Sequence, residues 1–201
     1  GFSLMNLRTI FYRAPATAAI AALCIAVFAI AAAQSSSLSN TVWGSPLGIR
    51  MVLYGPFVAE GPLGWLRLLT AGFLHLDLSH LFVNMLMLVL IGGEIERFIG
   101  TARFVVAWVV GTLASSAAVL AMAFGTPTAG ASGALFALLA VLVAIAYRRS
   151  SDLRAPIALL VLNVAFTFIA PGVSVWGHLG GLAAGVLLAW PLTFSPPIPR
   201  H

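Results

Sequence analysis

Long apolar stretches separated by short polar breaks dominate this chain. Six stretches carry almost no charge and lie near 15–33, 76–93, 103–124, 131–147, 155–170 and 176–194. Each is close to the roughly 20 residues that an α-helix needs to cross a hydrocarbon core about 30 Å thick. Arginine, glycine and proline mark the breaks. The pattern predicts an all-α polytopic membrane protein, with six transmembrane helices in a single membrane domain over 1–201.

Composition agrees with that prediction and narrows the possible partners. Hydrophobic residues make up 61% of the chain, charged residues 7%, and the mean hydropathy is +1.08, whereas a soluble domain is about 45–50% apolar. The net charge of +5 comes from ten basic residues, all arginine and scattered over short breaks. This distribution favours a lipid bilayer over nucleic acid as the partner. The single cysteine, Cys24, lies in the first stretch, so we expect it to pack there.

The positions of the arginines predict the orientation of the helices. They concentrate in alternate breaks, namely Arg8 and Arg13, then Arg97 and Arg103, then Arg148, Arg149 and Arg154. Basic residues favour cytoplasmic loops, so both termini should be cytoplasmic. The first stretch is as long as a full span and lacks a convincing cleavage site, and we expect a retained helix there rather than a secretory signal.

Four polar residues lie near the starts of even-numbered stretches, namely His80, Asn84, Ser132 and His178. Even-numbered helices then enter from the outer face, so these residues should meet at one depth, shallow enough for outside water to reach them. Ionisable groups at membrane depth are functional by default. A histidine beside a serine is the arrangement that nucleophilic catalysis requires.

The local spacing of these residues suits acyl transfer. His80 and Asn84 are four apart on one helical face, where both can donate to a developing oxyanion. Ser132 stands between Gly130 and Gly133, which permit close approach of backbone or substrate, and a helix beginning there directs free N–H groups at the same point.

The sixth stretch carries its own packing signal. Gly181 and Gly185 form a small-xxx-small face that allows a neighbouring helix to come close. His178 lies one turn before this face. Close packing of the fourth and sixth helices would therefore bring His178 within reach of Ser132.

Together these motifs resemble the rhomboid family of intramembrane serine proteases. Gly-x-Ser-Gly occurs at 130–133, His-x-x-x-Asn at 80–84 and His-x-x-Gly-x-x-x-Gly at 178–185, and the resemblance extends from about Trp65 to Gly185. It implies a six-transmembrane-helix rhomboid-like bundle. The active site should open to the outer side of an integral membrane protein in a bacterial inner (plasma) membrane.

Carried over to this chain, the resemblance assigns a role to each motif residue. Ser132 would be the nucleophile and His178 the general base of a catalytic dyad. His80, Asn84, Gly130 and the backbone N–H of Ser132 would stabilise the oxyanion and the substrate. The residues implied as structural support are Arg67, His75, Glu96, Phe136, Gly181 and Gly185.

Two positions depart from the family pattern. Leu66 separates Trp65 from Arg67, whereas family members often have tryptophan and arginine next to each other. Phe136 occupies the position where family members often have a tyrosine stacked beside the base. Phe136 keeps the aromatic face and loses only a hydroxyl. Neither change removes a reacting group. We therefore expect the two departures to alter the rate or the substrate preference and not to abolish activity.

The implied function is an intramembrane endopeptidase that cleaves transmembrane helices of other membrane proteins near the outer face, through an acyl-enzyme. Its partners would be transmembrane substrates and the lipid bilayer. We expect no cofactor and no metal, because the His-Glu-x-x-His helix of zinc proteases is absent from the sequence.

Three other readings use the same residues. Ser132 and His178 can cap helices, and His80 with Asn84 can form hydrogen bonds between helices, without any chemistry. An inactive rhomboid-like protein would bind transmembrane helices without cutting them, but it would be expected to lack Ser132 or His178. A small transporter or channel would need polar residues deeper toward the cytoplasmic side, where these stretches are nearly all Ala, Val, Leu and Ile.

Overall fold

The computed structural model describes residues 7–196, which form helices joined by short connections. Between residues 7 and 196 the only β-structure is an isolated antiparallel bridge between Leu53 and Thr128. The six main helices are α1 (Pro15–Ser35), α2 (Leu78–Ile99), α3 (Thr101–Met122), α4 (Ser132–Arg148), α5 (Arg154–Ile169) and α6 (Val175–Thr193). Helices α1, α2, α3 and α6 are long and apolar enough to cross a membrane, whereas α4 and α5 are apolar but shorter.

Five of the six predicted stretches match their helices to within two residues at each end. The second does not, because α2 continues to Ile99 where the sequence predicted an end near residue 93. It passes through a π-helical turn, Leu88–Gly92, and then a further α-helical segment, Gly93–Ile99. The charged residues of that segment marked the end of the apolar stretch in the sequence. Glu96 is instead 1% exposed and belongs to the interior.

The long connection between α1 and α2 is folded into short helical turns. They are Pro46–Met51, Gly55–Val58, Pro62–Leu66, Arg67–Thr70 and Ala71–Phe73, and a further turn, Leu7–Ile10, precedes α1. Arg67 holds this connection together, since its Nη1 donates to the carbonyls of Ile49 at 2.6 Å and Val52 at 2.9 Å. Its guanidinium also lies over the Phe57 ring, 4.9 Å from the centroid. These contacts join Arg67 to two of the short helical turns of the connection.

A buried carboxylate joins three helices at one end of the bundle. Glu96 accepts the backbone N–H of Ala16 at 3.0 Å and of Thr17 at 2.7 Å, together with the hydroxyls of Thr17 and Thr101, each at 2.8 Å. The N-cap residue of α1, Ala14, provides no side-chain cap. The negative charge of Glu96 takes over that role at the positive end of the α1 dipole.

Helix α4 is the centre of the bundle, and small residues allow its neighbours to approach it closely. A β-carbon added at Gly181 would strike the carbonyl of Gly133, and one at Gly185 would strike the carbonyl of Ala137. These four residues, Gly133, Ala137, Gly181 and Gly185, form the α4–α6 seam. Backbones that pack at such short range need residues without bulky side chains.

We expect Glu96→Gln to lower the free energy of unfolding by about 2–4 kcal/mol, because a neutral amide presents N–H groups to donors that need acceptors. Thermal unfolding in detergent micelles measures the change. The matched control is Glu94→Gln on the same helical segment, where the side chain is exposed. Equal midpoints for the two variants would contradict the structural role of Glu96.

Replacing Gly181 by alanine should lower the free energy of unfolding by about 1–3 kcal/mol, because the added methyl group separates α4 from α6. Gly125→Ala is the control, since a β-carbon there meets no atom within 4 Å. Thermal unfolding in the same micelles compares the two. A Gly181→Ala protein as stable as the control would show that the seam is not tightly packed.

Candidate active site

Ser132 and His178 face each other across the top of the α4–α6 seam. Ser132 is the first residue of α4, and His178 lies in the first turn of α6. The Oγ of Ser132 is 2.9 Å from the Nε2 of His178. This separation is the hydrogen-bonding distance required for a base to take the proton of a hydroxyl nucleophile.

The His178 ring is fixed on two further sides. Phe136, one turn after Ser132, stacks on the ring with centroids 4.4 Å apart and planes 24° from parallel. Phe136, which occupies the position of the usual tyrosine, therefore keeps the aromatic contact with the His178 ring. On the remaining edge, the Nδ1 of His178 lies 2.8 Å from the Oγ1 of Thr167.

Sequence reasoning missed Thr167. It occupies α5, which was predicted only as an apolar span. A signal was present, since Asn163 and Thr167 are polar residues four apart in an otherwise apolar helix. Such a pair indicates one face turned toward other protein rather than lipid.

His80 stands beside the turn that precedes Ser132. Its Nδ1 accepts the N–H of Leu76 at 3.1 Å, so a neutral His80 carries its proton on Nε2. A β-carbon at Gly130 would lie 2.8 Å from that Nε2, and Gly130 has φ of 120°. Both the space and the backbone conformation thus require glycine at this position.

Asn84 is buried one turn further along α2. Its Nδ2 donates to the backbone carbonyl of His80 at 2.8 Å. An amide nitrogen carries two protons, so one remains for another acceptor. His80 and Asn84 lie four residues apart on one face of α2. One of the two Asn84 N–H groups is used in the hydrogen bond to its own helix.

His75 supports the same turn from below. Its ring is fully buried, and its Nε2 accepts the N–H of Ala131 at 3.3 Å. Burial, and to a lesser degree the charge of nearby His80, lowers the pKa of His75 to about 3. The ring is therefore neutral at ordinary pH and acts as an acceptor. Its backbone carbonyl accepts the hydroxyl of Thr41 at 2.6 Å, which links His75 to the first connection.

The other predicted support residues lie away from the reacting groups. Arg67 belongs to the first connection, and Glu96 lies at the far end of α2. Gly181 and Gly185 form the seam below His178. Within residues 7–196, no group of three or more His, Cys, Asp or Glu side chains is placed to hold a metal ion.

The sequence of this chain is similar to those of several known proteins. Residues 62–194 match the sequence profile of the Rhomboid domain. The chain is 34% identical over 137 residues to rhomboid protease GluP of Bacillus subtilis (strain 168), covering 66% of this chain and 26% of that protein. It is 34% identical over 145 residues to RHOMBOID-like protein 4 of Arabidopsis thaliana, covering 69% and 36%.

A third relative is similar in length. The putative rhomboid protease YdcA of Bacillus subtilis (strain 168) is 30% identical over 157 residues, covering 75% of this chain and 73% of the relative. The chain spans only about a quarter to a third of the first two relatives. The profile match covers every motif residue from Arg67 to Gly185. With its apolar, all-helical structure, this chain is therefore an integral membrane protein that belongs to the rhomboid family.

Proposed function

We propose that this protein is an intramembrane serine endopeptidase in which Ser132 and His178 form the catalytic dyad. The observation that carries the proposal is the 2.9 Å contact between the Ser132 Oγ and the His178 Nε2. The similarity to proteins named rhomboid proteases supports the same activity.

In the proposed reaction, Ser132 Oγ attacks the scissile carbonyl while its proton passes to His178 Nε2. The oxyanion accepts hydrogen bonds from His80 Nε2–H, the remaining N–H of Asn84 and the backbone N–H groups at the start of α4. His178 then protonates the leaving amine, and an acyl-enzyme remains on Ser132. A water molecule then attacks the carbonyl of the acyl-enzyme, with His178 as general base, and releases the acid product and free Ser132.

The proposed substrates are transmembrane helices of other proteins. A helical peptide bond is shielded by its own hydrogen bonds, so a substrate helix has to unwind locally before Ser132 can reach a carbonyl. Glycine or proline near the cleavage point would lower that cost. We therefore propose helix-weakened segments within the bilayer as preferred substrates.

We further propose that all six helices cross the membrane and that the site opens to the outer face. The arginines Arg97, Arg103 and Arg148 donate to backbone carbonyls near the ends of the bundle remote from Ser132. Because α4 has 17 residues, about 25 Å of helix separates Ser132 from Arg148. Basic residues favour the cytoplasmic side of a membrane, so we propose that this arginine-rich end of the bundle faces the cytoplasm.

The proposed location is the plasma membrane of a bacterium, with both termini in the cytoplasm. The positive-inside distribution of arginine supports this orientation. Residues 1–6 and 197–201, which include the termini themselves, lie outside the described part of the chain.

Ser132→Ala and His178→Ala should each abolish cleavage of a labelled single-span substrate in liposomes, because each removes one member of the dyad. Mass spectrometry should place the wild-type cut inside the substrate span, near its outer end. Ser151→Ala, at an exposed loop serine, is the control and should keep full activity. Intact substrate that still binds the folded wild type would support a helix-binding protein instead.

His80→Ala should lower kcat by about a hundredfold with little change in KM, because it removes a donor that acts only on the transition-state oxyanion. Asn84→Ala should act in the same direction. Steady-state kinetics with the same substrate separates kcat from KM, and thermal unfolding checks that the variants are folded. A folded His80→Ala enzyme with wild-type kcat would exclude His80 from the oxyanion site.

A further inference from the structure

Helix α5 contributes a single buried side chain to the bundle among its described residues, and that side chain is Thr167. Thr167 is 2% exposed, whereas its neighbours Phe166 and Phe168 are 64% and 63% exposed. An apolar helix on the periphery thus turns one hydroxyl inward. A hydroxyl removed from water requires hydrogen-bond partners, because leaving it unpaired is costly.

The two partners of this hydroxyl fix the direction of its hydrogen bonds. Thr167 Oγ1 lies 2.9 Å from the backbone carbonyl of Asn163 and 2.8 Å from the Nδ1 of His178. A carbonyl oxygen can only accept, so the single hydroxyl proton is directed to Asn163. The Thr167 oxygen then faces His178 as an acceptor. In this arrangement the Nδ1 of His178 carries the proton that completes the bond.

The position of the proton on His178 determines how its ring can interact with Ser132. A neutral imidazole with its proton on Nδ1 has its lone pair on Nε2. That atom is the one 2.9 Å from Ser132 Oγ. With this tautomer the hydrogen bonds run in one direction, from Ser132 to His178, from His178 to Thr167 and from Thr167 to the Asn163 carbonyl.

We propose that Thr167 is a positioning residue that holds His178 in its Nδ1–H tautomer, so that Nε2 is free to accept the proton of Ser132. In a Ser-His-Asp triad, a carboxylate performs this orienting task. Here a neutral hydroxyl, anchored on its own helix, performs it. The effect on catalysis rests on the proposed protease function, whereas the tautomer itself does not.

The tautomer is measured directly by 15N NMR of protein labelled at histidine in lipid nanodiscs, with His178→Ala used to assign the signal. We expect the wild type to show a protonated Nδ1 and an unprotonated Nε2. Thr167→Val should shift the population toward the other tautomer, and Thr167→Ser should retain the wild-type pattern. A wild-type His178 protonated on Nε2 would overturn the proposal, whether or not any variant folds.

Kinetics gives a second readout. Thr167→Val keeps the shape of the side chain and should lower kcat about tenfold with KM unchanged, because one neutral hydrogen bond to the base is lost. Thr167→Ser should restore most of the rate. The matched control is Thr112→Val, which removes a buried hydroxyl that donates to the Trp108 carbonyl at 2.8 Å within α3.

The outcomes separate this proposal from the proposed function. A wild type that cleaves no substrate, yet shows the Nδ1–H tautomer and its loss in Thr167→Val, would refute the protease and uphold the role of Thr167. An active Thr167→Val protein with wild-type kcat and an unchanged tautomer would refute the role of Thr167 and leave the protease in place.

Discussion

The close approach of α4 and α6 is the constraint on which the site depends. Gly181 leaves no room for a β-carbon against the Gly133 carbonyl, and Gly133 directly follows Ser132. His178 lies three residues before Gly181, on the same helix. The seam therefore sets the distance between serine and histidine through backbone packing, which is stiffer than any contact between long side chains.

Two separated hydrogen-bond networks join distant helices of this apolar bundle. At one end, the Glu96 carboxylate of α2 accepts four hydrogen bonds, three from α1 and one from α3, and so joins the starts of α1 and α3 to the end of α2. At the other end, Ser132, His178 and Thr167 form a chain of hydrogen bonds. Glu96 and Thr167 are buried whereas Ser132 and His178 are half-buried, and neither network leaves its central group unpaired. The first stabilises the fold and the second orients the groups that the proposed reaction uses.

The turn before Ser132 connects the first loop to the site. The N–H of Gly130 donates to the Ala71 carbonyl at 2.8 Å, and the N–H of Ala131 donates to His75. Both acceptors come from the segment between Arg67 and α2. The loop therefore does more than shield the bundle, because its backbone and one neutral histidine hold the residues that present the Ser132 hydroxyl.

Sequence alone determined the helical class, the approximate bounds of five helices and the set of residues whose side chains could take part in chemistry. Helix periodicity, apolar length and the glycine spacing are local properties, and Ser132, His178, His80 and Asn84 could be recognised from them. The extension of α2 through Glu96 and the contact of Thr167 with His178 depended on tertiary structure. A charged residue ends an apolar stretch in the sequence, and a threonine within a span carries no signal of its own, because their partners come from distant helices.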